Sequence, residues 1–312
     1  MPTLLCFGFG FSAATLVQFL RKDRGCSWII KGTTRCPQKA KKLEAIGIEP
    51  LLFDGSTPLS PKDFEGVTHL LSSIPPNSQT SHHEGQMVDP VLRAHYTSLR
   101  HSICRNTIKW IGYLSSTGVY GNHGGALVTE ETPITLNEAH PSYNRARAER
   151  EWLSLRRDLM LAPVHVFRLS GIYGPGRSAL DSVRQNRAQR IIKPGHVFCR
   201  IHVDDIALVL CTSFEKPKPC RIYNVADDKP APYADVVNYA CQLLNTEPPP
   251  EVHWTQANLS PMLANFYADC RRVDNTRLKE DLSITLQFPT YQQGLQHILE
   301  TETVRRKEPH SA

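Results

Sequence analysis

Two serines close an apolar run at Leu114-Ser115-Ser116, and 27 residues after Ser116 stands Tyr143, with Arg147 one helical turn further on. A serine hydroxyl can donate to a carbonyl or alkoxide oxygen. A phenol, with an ordinary pKa near 10, serves as a base near neutrality only where a cation favours its phenolate. Tyrosine at i and a cation at i+4 share one face of a helix. The spacing thus places a hydroxyl donor, Ser116, with a phenol, Tyr143, whose phenolate the Arg147 cation could favour.

A second constellation lies at the N-terminus. Gly8-Phe9-Gly10-Phe11-Ser12-Ala13 reads Gly-x-Gly-x-x-Ala and follows the apolar run Leu4 to Phe7 directly. Glycines at such a junction allow a tight turn and let backbone N–H groups approach a pyrophosphate, whose charge then sits at a helix N-terminus. The bland alternative is a turn that only closes a strand. The next strand runs into Thr33-Thr34-Arg35, where NAD-specific proteins usually present an acid to the ribose diol. Hydroxyls and a guanidinium suit a 2′-phosphate instead, so NADP is expected over NAD. Arg35 solvating the following helix is the competing explanation. Asp54 is placed either to meet the adenine amino group or to form a turn with Gly55. Ser73, Ile74 and Pro75 would wall the cofactor.

These residues need a scaffold, and the periodicity supplies one. Strands are predicted at Leu4 to Phe7, Trp28 to Ile30, Pro50 to Phe53, His69 to Ser73, Trp110 to Leu114 and Val164 to Leu169. Helices are predicted at Ser12 to Arg21, Pro37 to Ile46, Val88 to Arg100 and Tyr143 to Arg156. Such alternation implies an α/β fold, a Rossmann-type doubly wound parallel sheet. Beyond Leu169 come Gly, Pro and Arg-rich loops with short elements, among them a helix from Asp205 to Phe214, a strand from Ile222 to Val225 and a helix from Tyr233 to Leu244. The expected organisation is a dinucleotide-binding domain over 1–170, a smaller C-terminal substrate lobe over 171–300 interleaved with the sheet, and a fraying charged tail over 301–312. Asn245 to Pro261, with three consecutive prolines, reads as irregular.

Composition narrows the class. The chain has 312 residues, 40% hydrophobic and 21% charged, as ordinary globular proteins do. It has no apolar run long enough to span a bilayer and opens without a secretory pattern, so neither a membrane nor secretion is expected. Nine scattered cysteines without a Cys-x-x-Cys pair suit reduced thiols and a cytoplasmic location. Residues 141–200 hold twelve Lys or Arg against four acids, a balance of +8 that leaves the rest of the chain at −2. Nucleic acid, an anionic small ligand or a solvated helix face could each explain that block, and Arg184, Arg187 and Arg190 are divided between the last two. No nucleic-acid-binding motif is present, so no nucleic-acid partner is expected.

With Ser115-Ser-Thr-Gly-Val-Tyr-Gly121, the Tyr143 helix, Arg168-Leu-Ser-Gly-Ile-Tyr-Gly-Pro-Gly-Arg177 and Arg200-Ile-His-Val-Asp-Asp-Ile206 in order, the chain resembles the short-chain dehydrogenase/reductase superfamily. The likeness is to its extended or atypical branch, the NAD(P)-dependent epimerase/dehydratase type. It implies Ser116 as hydroxyl donor, Tyr143 as general acid/base and hydride exchange with a nicotinamide. It also implies a cleft-side role for Arg177, Arg200 and His202, with Thr117 and Tyr173 beside the substrate, and a homodimer through the two long helices. Two departures stand out. Arg147 occupies the place of the usual lysine, and it keeps the charge but cannot relay a proton. Thr117 and Gly118 stand where 4,6-dehydratases carry an acid pair, which disfavours dehydration.

Other pairs are set aside. Cys199 and His202 have metal-like spacing but would point to opposite faces of a strand, so no metal site is expected. Asp204 would cap a helix, with Asp205 in its first turn. His82-His83 lies in a polar loop. The expected function is thus an NADP-dependent oxidoreductase or epimerase acting on a small anionic, nucleotide-sugar-like substrate. The alternative is a sensor that binds the dinucleotide without turnover.

Overall fold

The computed structural model describes residues 1–23, 27–76, 86–158, 162–218 and 220–307. Seven parallel strands form the central sheet: β1 Thr3–Phe7, β2 Ile29–Thr34, β3 Glu49–Leu52, β4 His69–Ser72, β5 Trp110–Ser116, β7 Val164–Leu169 and β11 Arg221–Val225. Their spatial order is β11-β7-β5-β4-β1-β2-β3. The chain therefore winds outward in both directions from β1, and the switch point between β1 and β4 opens the crevice where such sheets bind ligands. β1, β5 and β7 are buried almost end to end, because helices cover both faces.

Between and after these strands run α1 Phe11–Asp23, α2 Pro37–Ala45, α3 Pro90–Cys104, α4 Tyr143–Asp158, α5 Ala179–Arg184, α6 Val203–Glu215, α7 Tyr233–Leu244, α8 Pro261–Ala268, α9 Thr276–Leu282 and α10 Tyr291–Lys307. Proline opens α2 and α3, and the Asp89 carboxylate caps α3 by accepting from the N–H groups of Val91 and Leu92. One core layer gathers Leu16, Leu20, Trp110, Phe167, Leu210 and Leu278; the opposite layer gathers Phe7, Leu92, Tyr113, Trp152 and Val164. Among the described residues no helix is long and apolar enough to cross a membrane.

Three parallel two-stranded ribbons build the lobe beside the strand ends: β8 Gly171–Tyr173 with β10 Arg200–His202, β9 Arg190–Ile192 with β12 Glu251–His253, and β6 Leu127–Val128 with β13 Arg272–Val273. β12 lies inside the stretch expected to be irregular. Its three residues acquire strand geometry only by pairing with β9, and triple proline masks that from local propensity. The tail expectation also changes, because α10 continues through Lys307 and Glu302 pairs with Arg184 at 2.6 Å. His82-His83 and residues 308–312 lie outside the described residues.

Candidate functional site

β1 delivers the chain into the glycine turn. Gly8 has φ +84°, and a Cβ there would lie 2.9 Å from the Ser73 hydroxyl, so only glycine fits. Two strands brace the turn: Thr33 Oγ1 accepts from the Gly8 N–H at 2.8 Å, and Ser73 Oγ donates to the Gly8 carbonyl at 2.6 Å. Ile74 packs on the same glycine. Gly10 has nothing within 4 Å of where a Cβ would be, and Gly10, Phe11 and Ser12 line a cleft at the start of α1. Ala13 is buried in the core, as close helix packing requires. An open turn at a helix N-terminus, with no acid on it, fits a pyrophosphate.

The ribose end differs from the sequence expectation. Thr33 is only 1% exposed and spends its hydroxyl on Gly8, while Thr34 is buried and accepts from the Cys36 N–H. Both hydroxyls accept from backbone N–H groups and so shape the turn and the strand end. Arg35 remains exposed at the strand end, and a cation that periodicity did not single out joins it there: Lys39, whose ammonium donates to the Phe9 carbonyl. Asp54 is a turn former. Its Oδ1 accepts from Thr57 N–H, Ser56 N–H and Ser56 Oγ, which hold the carboxyl down to about 2. Pro75 is exposed just beyond the cleft.

The cleft measures about 1300 Å³, more than one small ligand needs. Its floor is the end of β5 and the short turn Thr117–Tyr120, and the lobe forms its far wall. Ser116 Oγ accepts from the Gly118 N–H at 3.0 Å; Thr117 is buried against the Leu169 carbonyl. Ser142 and Arg145 enter from the start of α4, but Tyr143 and Arg147 are not among the wall residues. Arg147 Nη2 donates to the Gln86 carbonyl at 3.4 Å. The reason is angular: at 100° per residue Tyr143 and Arg147 do share a face, yet α4 packs through Ala146, Ala148, Glu149 and Trp152, which turns Arg145 to the cleft.

Behind the floor lies a buried ionic cluster. Arg168 Nη2 meets Glu149 Oε2 at 2.8 Å and Nε meets both carboxylate oxygens, while Nη1 donates to the Tyr120 hydroxyl at 2.8 Å. Ser115 Oγ donates to Glu149 at 2.5 Å, and the Tyr120 hydroxyl donates to Asn224 Oδ1 at 2.6 Å. This cluster ties β5, β7, β11 and α4 together directly beneath Ser116. It explains why Arg168, counted in the basic block, is not a surface charge.

On the lobe side, Arg177 is exposed on the wall after its Gly-Pro-Gly turn. Arg200 lines the wall too, with Nη1 donating to the Phe198 and Ala231 carbonyls. Tyr173 offers its ring to the wall, while its hydroxyl abuts Gly294. His202 does not reach the cleft. It is fully buried, packs against Phe288 with ring centroids 4.2 Å apart and the rings tilted by 52°, and caps α6 by accepting from Asp204 N–H; burial pushes it down to about 3. His202 thus takes the capping role expected of Asp204. Arg184, Arg187 and Arg190 do not share a helix face either: α5 ends at Arg184, Arg187 lines the cleft, and Arg190 opens β9 paired with Glu251. Cys199 donates to the Arg271 carbonyl, so it and His202 face different neighbours.

No family model matches the chain, and no curated protein does. Solved structures match along nearly all of it. A dTDP-glucose 4,6-dehydratase from Bacillus anthracis in complex with NAD is 18% identical over 98% of each chain, with a TM-score of 0.72. A UDP-N-acetylglucosamine 4-epimerase from Bacillus cereus is 12% identical over 97% of this chain and 100% of that one, with a TM-score of 0.67. The fold is therefore the Rossmann-type α/β fold that this dehydratase and this epimerase share. A functionally unknown conserved protein from Silicibacter pomeroyi is 41% identical over 97% of this chain and 99% of that one, with a TM-score of 0.83, and the chain belongs to one family with it.

Proposed function

We propose that the protein is an NADP-dependent oxidoreductase or epimerase acting on a small anionic, carbohydrate-like substrate. The observation that carries this is the Gly8 turn, braced by Thr33 and Ser73 and opening with α1 into a cleft roomy enough for a dinucleotide and a second ligand. Gly10, Phe11 and Ser12 would take the pyrophosphate, and Arg35 with Lys39 the 2′-phosphate. The bound nicotinamide would supply or accept hydride. Ser116 would orient the reacting oxygen, and Tyr143 is the proposed proton donor and acceptor. Arg177, Arg187 and Arg200 favour an anionic substrate. The wall acids Asp181 and Asp269 are already engaged, by Ser178 and by His140 with Arg271. With Thr117 and Gly118 in the place of an acid pair, 4,6-dehydration is disfavoured.

The position of Tyr143 off the cleft wall favours one second reading, a dinucleotide-binding sensor without turnover. The two part in an assay of NADPH oxidation and epimer formation across carbonyl compounds and nucleotide sugars. The enzyme reading expects turnover that Ser116→Ala lowers about 100-fold or more, the usual cost of a lost oxyanion donor. Tight NADPH binding with no turnover on any substrate supports the sensor, and full turnover by Tyr143→Phe removes the phenol from the mechanism.

A further inference from the structure

We infer that Ser142 and Arg145 form, beside Ser116, an anion site at the end of β5 that holds a carboxylate of the second ligand, with Arg145 rather than Arg147 as its cation. The inference deepens the proposed function and rests on it for the neighbouring dinucleotide. A Cβ on Gly118 would stand 2.7 Å from Ser142 Oγ and 3.3 Å from Ser116 Oγ. Two hydroxyls therefore converge on one residue, where an added Cβ would displace the Ser142 hydroxyl. Ser116 Oγ accepts from the Gly118 N–H, which leaves its own proton free to donate into the cleft.

Arg145 lies beside them, half-buried on the same wall, its Nη1 fixed on the Leu114 carbonyl at 3.3 Å. That uses one of five guanidinium N–H donors. Among the described residues it makes no ion pair. Glu149, one turn on, is committed to Arg168 and Ser115. A half-buried cation facing a cleft whose acids are spent recruits an anion. The N-terminus of the 16-residue helix α4 opens beside it and adds favourable potential. A carboxylate fits this donor set: its two coplanar oxygens match the guanidinium fork, and the Ser142 hydroxyl can meet a remaining lone pair, which leaves Ser116 to the reacting oxygen.

The test is calorimetric titration of the full chain with oxalate, alone and saturated with NADPH, and with inorganic phosphate in parallel. Oxalate should bind wild type, bind at least ten times more weakly to Arg145→Met, keep part of its affinity with Arg145→Lys, and weaken about threefold or more with Ser142→Ala. Arg147→Met should leave it unchanged, and NADPH should leave it unchanged or tighten it. Absence of oxalate binding, equal binding by Arg145→Met, loss with Arg147→Met, a preference for phosphate, or displacement by NADPH would each overturn the assignment. Failure of NADPH to bind counts against the proposed function, and the oxalate titration of the free protein still decides the anion site.

Discussion

Arg168→Met probes how the floor of the cleft is held in place. The substitution keeps most of the buried volume but removes the Nε and Nη2 bonds to Glu149 and the Nη1 bond to Tyr120. Glu149, 1% exposed, is left with the Ser115 hydroxyl as its remaining partner in the cluster. Removing one partner of a buried ion pair costs about 3–5 kcal/mol, chiefly because the other charge stays desolvated. For 312 residues the melting entropy is on the order of 650 cal/mol/K, from about 2.1 cal/mol/K per residue. Tm should therefore fall by about 5–8 °C, measured by scanning calorimetry at pH 8. The double variant Glu149→Met, Arg168→Met removes both charges and should be less destabilised than the two single losses added together. A loss under about 1 kcal/mol for Arg168→Met, or strict additivity in the cycle, would refute the view that this cluster anchors β5.

Further outcomes can be read from single sites. His165 is fully buried, and burial pushes it down to about 4; its folded form binds fewer protons than the unfolded chain between pH 6.5 and 4. Its share of stability should therefore fall through that window by up to about 1.4 kcal/mol per pH unit, and His165→Phe should flatten the slope in urea melts. Burial lifts Asp227 to about 7 against the pull of Arg200, so the folded carboxyl keeps a proton that the unfolded one releases above 3.8. Wild type loses stability from this site as pH rises to 7, and Asp227→Asn should gain on it between pH 5 and pH 8; a constant gap would contradict this. Gly8→Ala forces a left-handed φ on a residue with a Cβ and crowds Ser73, so it should cost about 1–2 kcal/mol and weaken NADPH at least tenfold by fluorescence titration.

The local patterns carried most of the fold. Val164–Leu169 and Tyr233–Leu244 match their predicted bounds because the apolar run and the helical period are each complete within the element. β12 escaped detection because its pairing partner is some sixty residues away. At the site, Gly8 and Ser116 were legible from motif and position. The orientation of α4 was not, since a spacing of four says that Tyr143 and Arg147 share a face, not which face meets the cleft. That choice is made by Trp152 and the Glu149–Arg168 cluster, contacts that no helical period encodes. His202 illustrates the same limit: a polar side chain near a site is as readily consumed by backbone N–H groups as offered to a ligand.

The most direct test of the central claim is a titration of the purified chain with NADPH and with NADH, followed by nicotinamide fluorescence, on wild type, Arg35→Asp and Lys39→Met. Tighter binding of NADPH than NADH, reversed or abolished by Arg35→Asp and reduced by Lys39→Met, is the expected result. Binding of neither nucleotide by wild type would contradict the account and leave the Gly8 turn a purely structural feature.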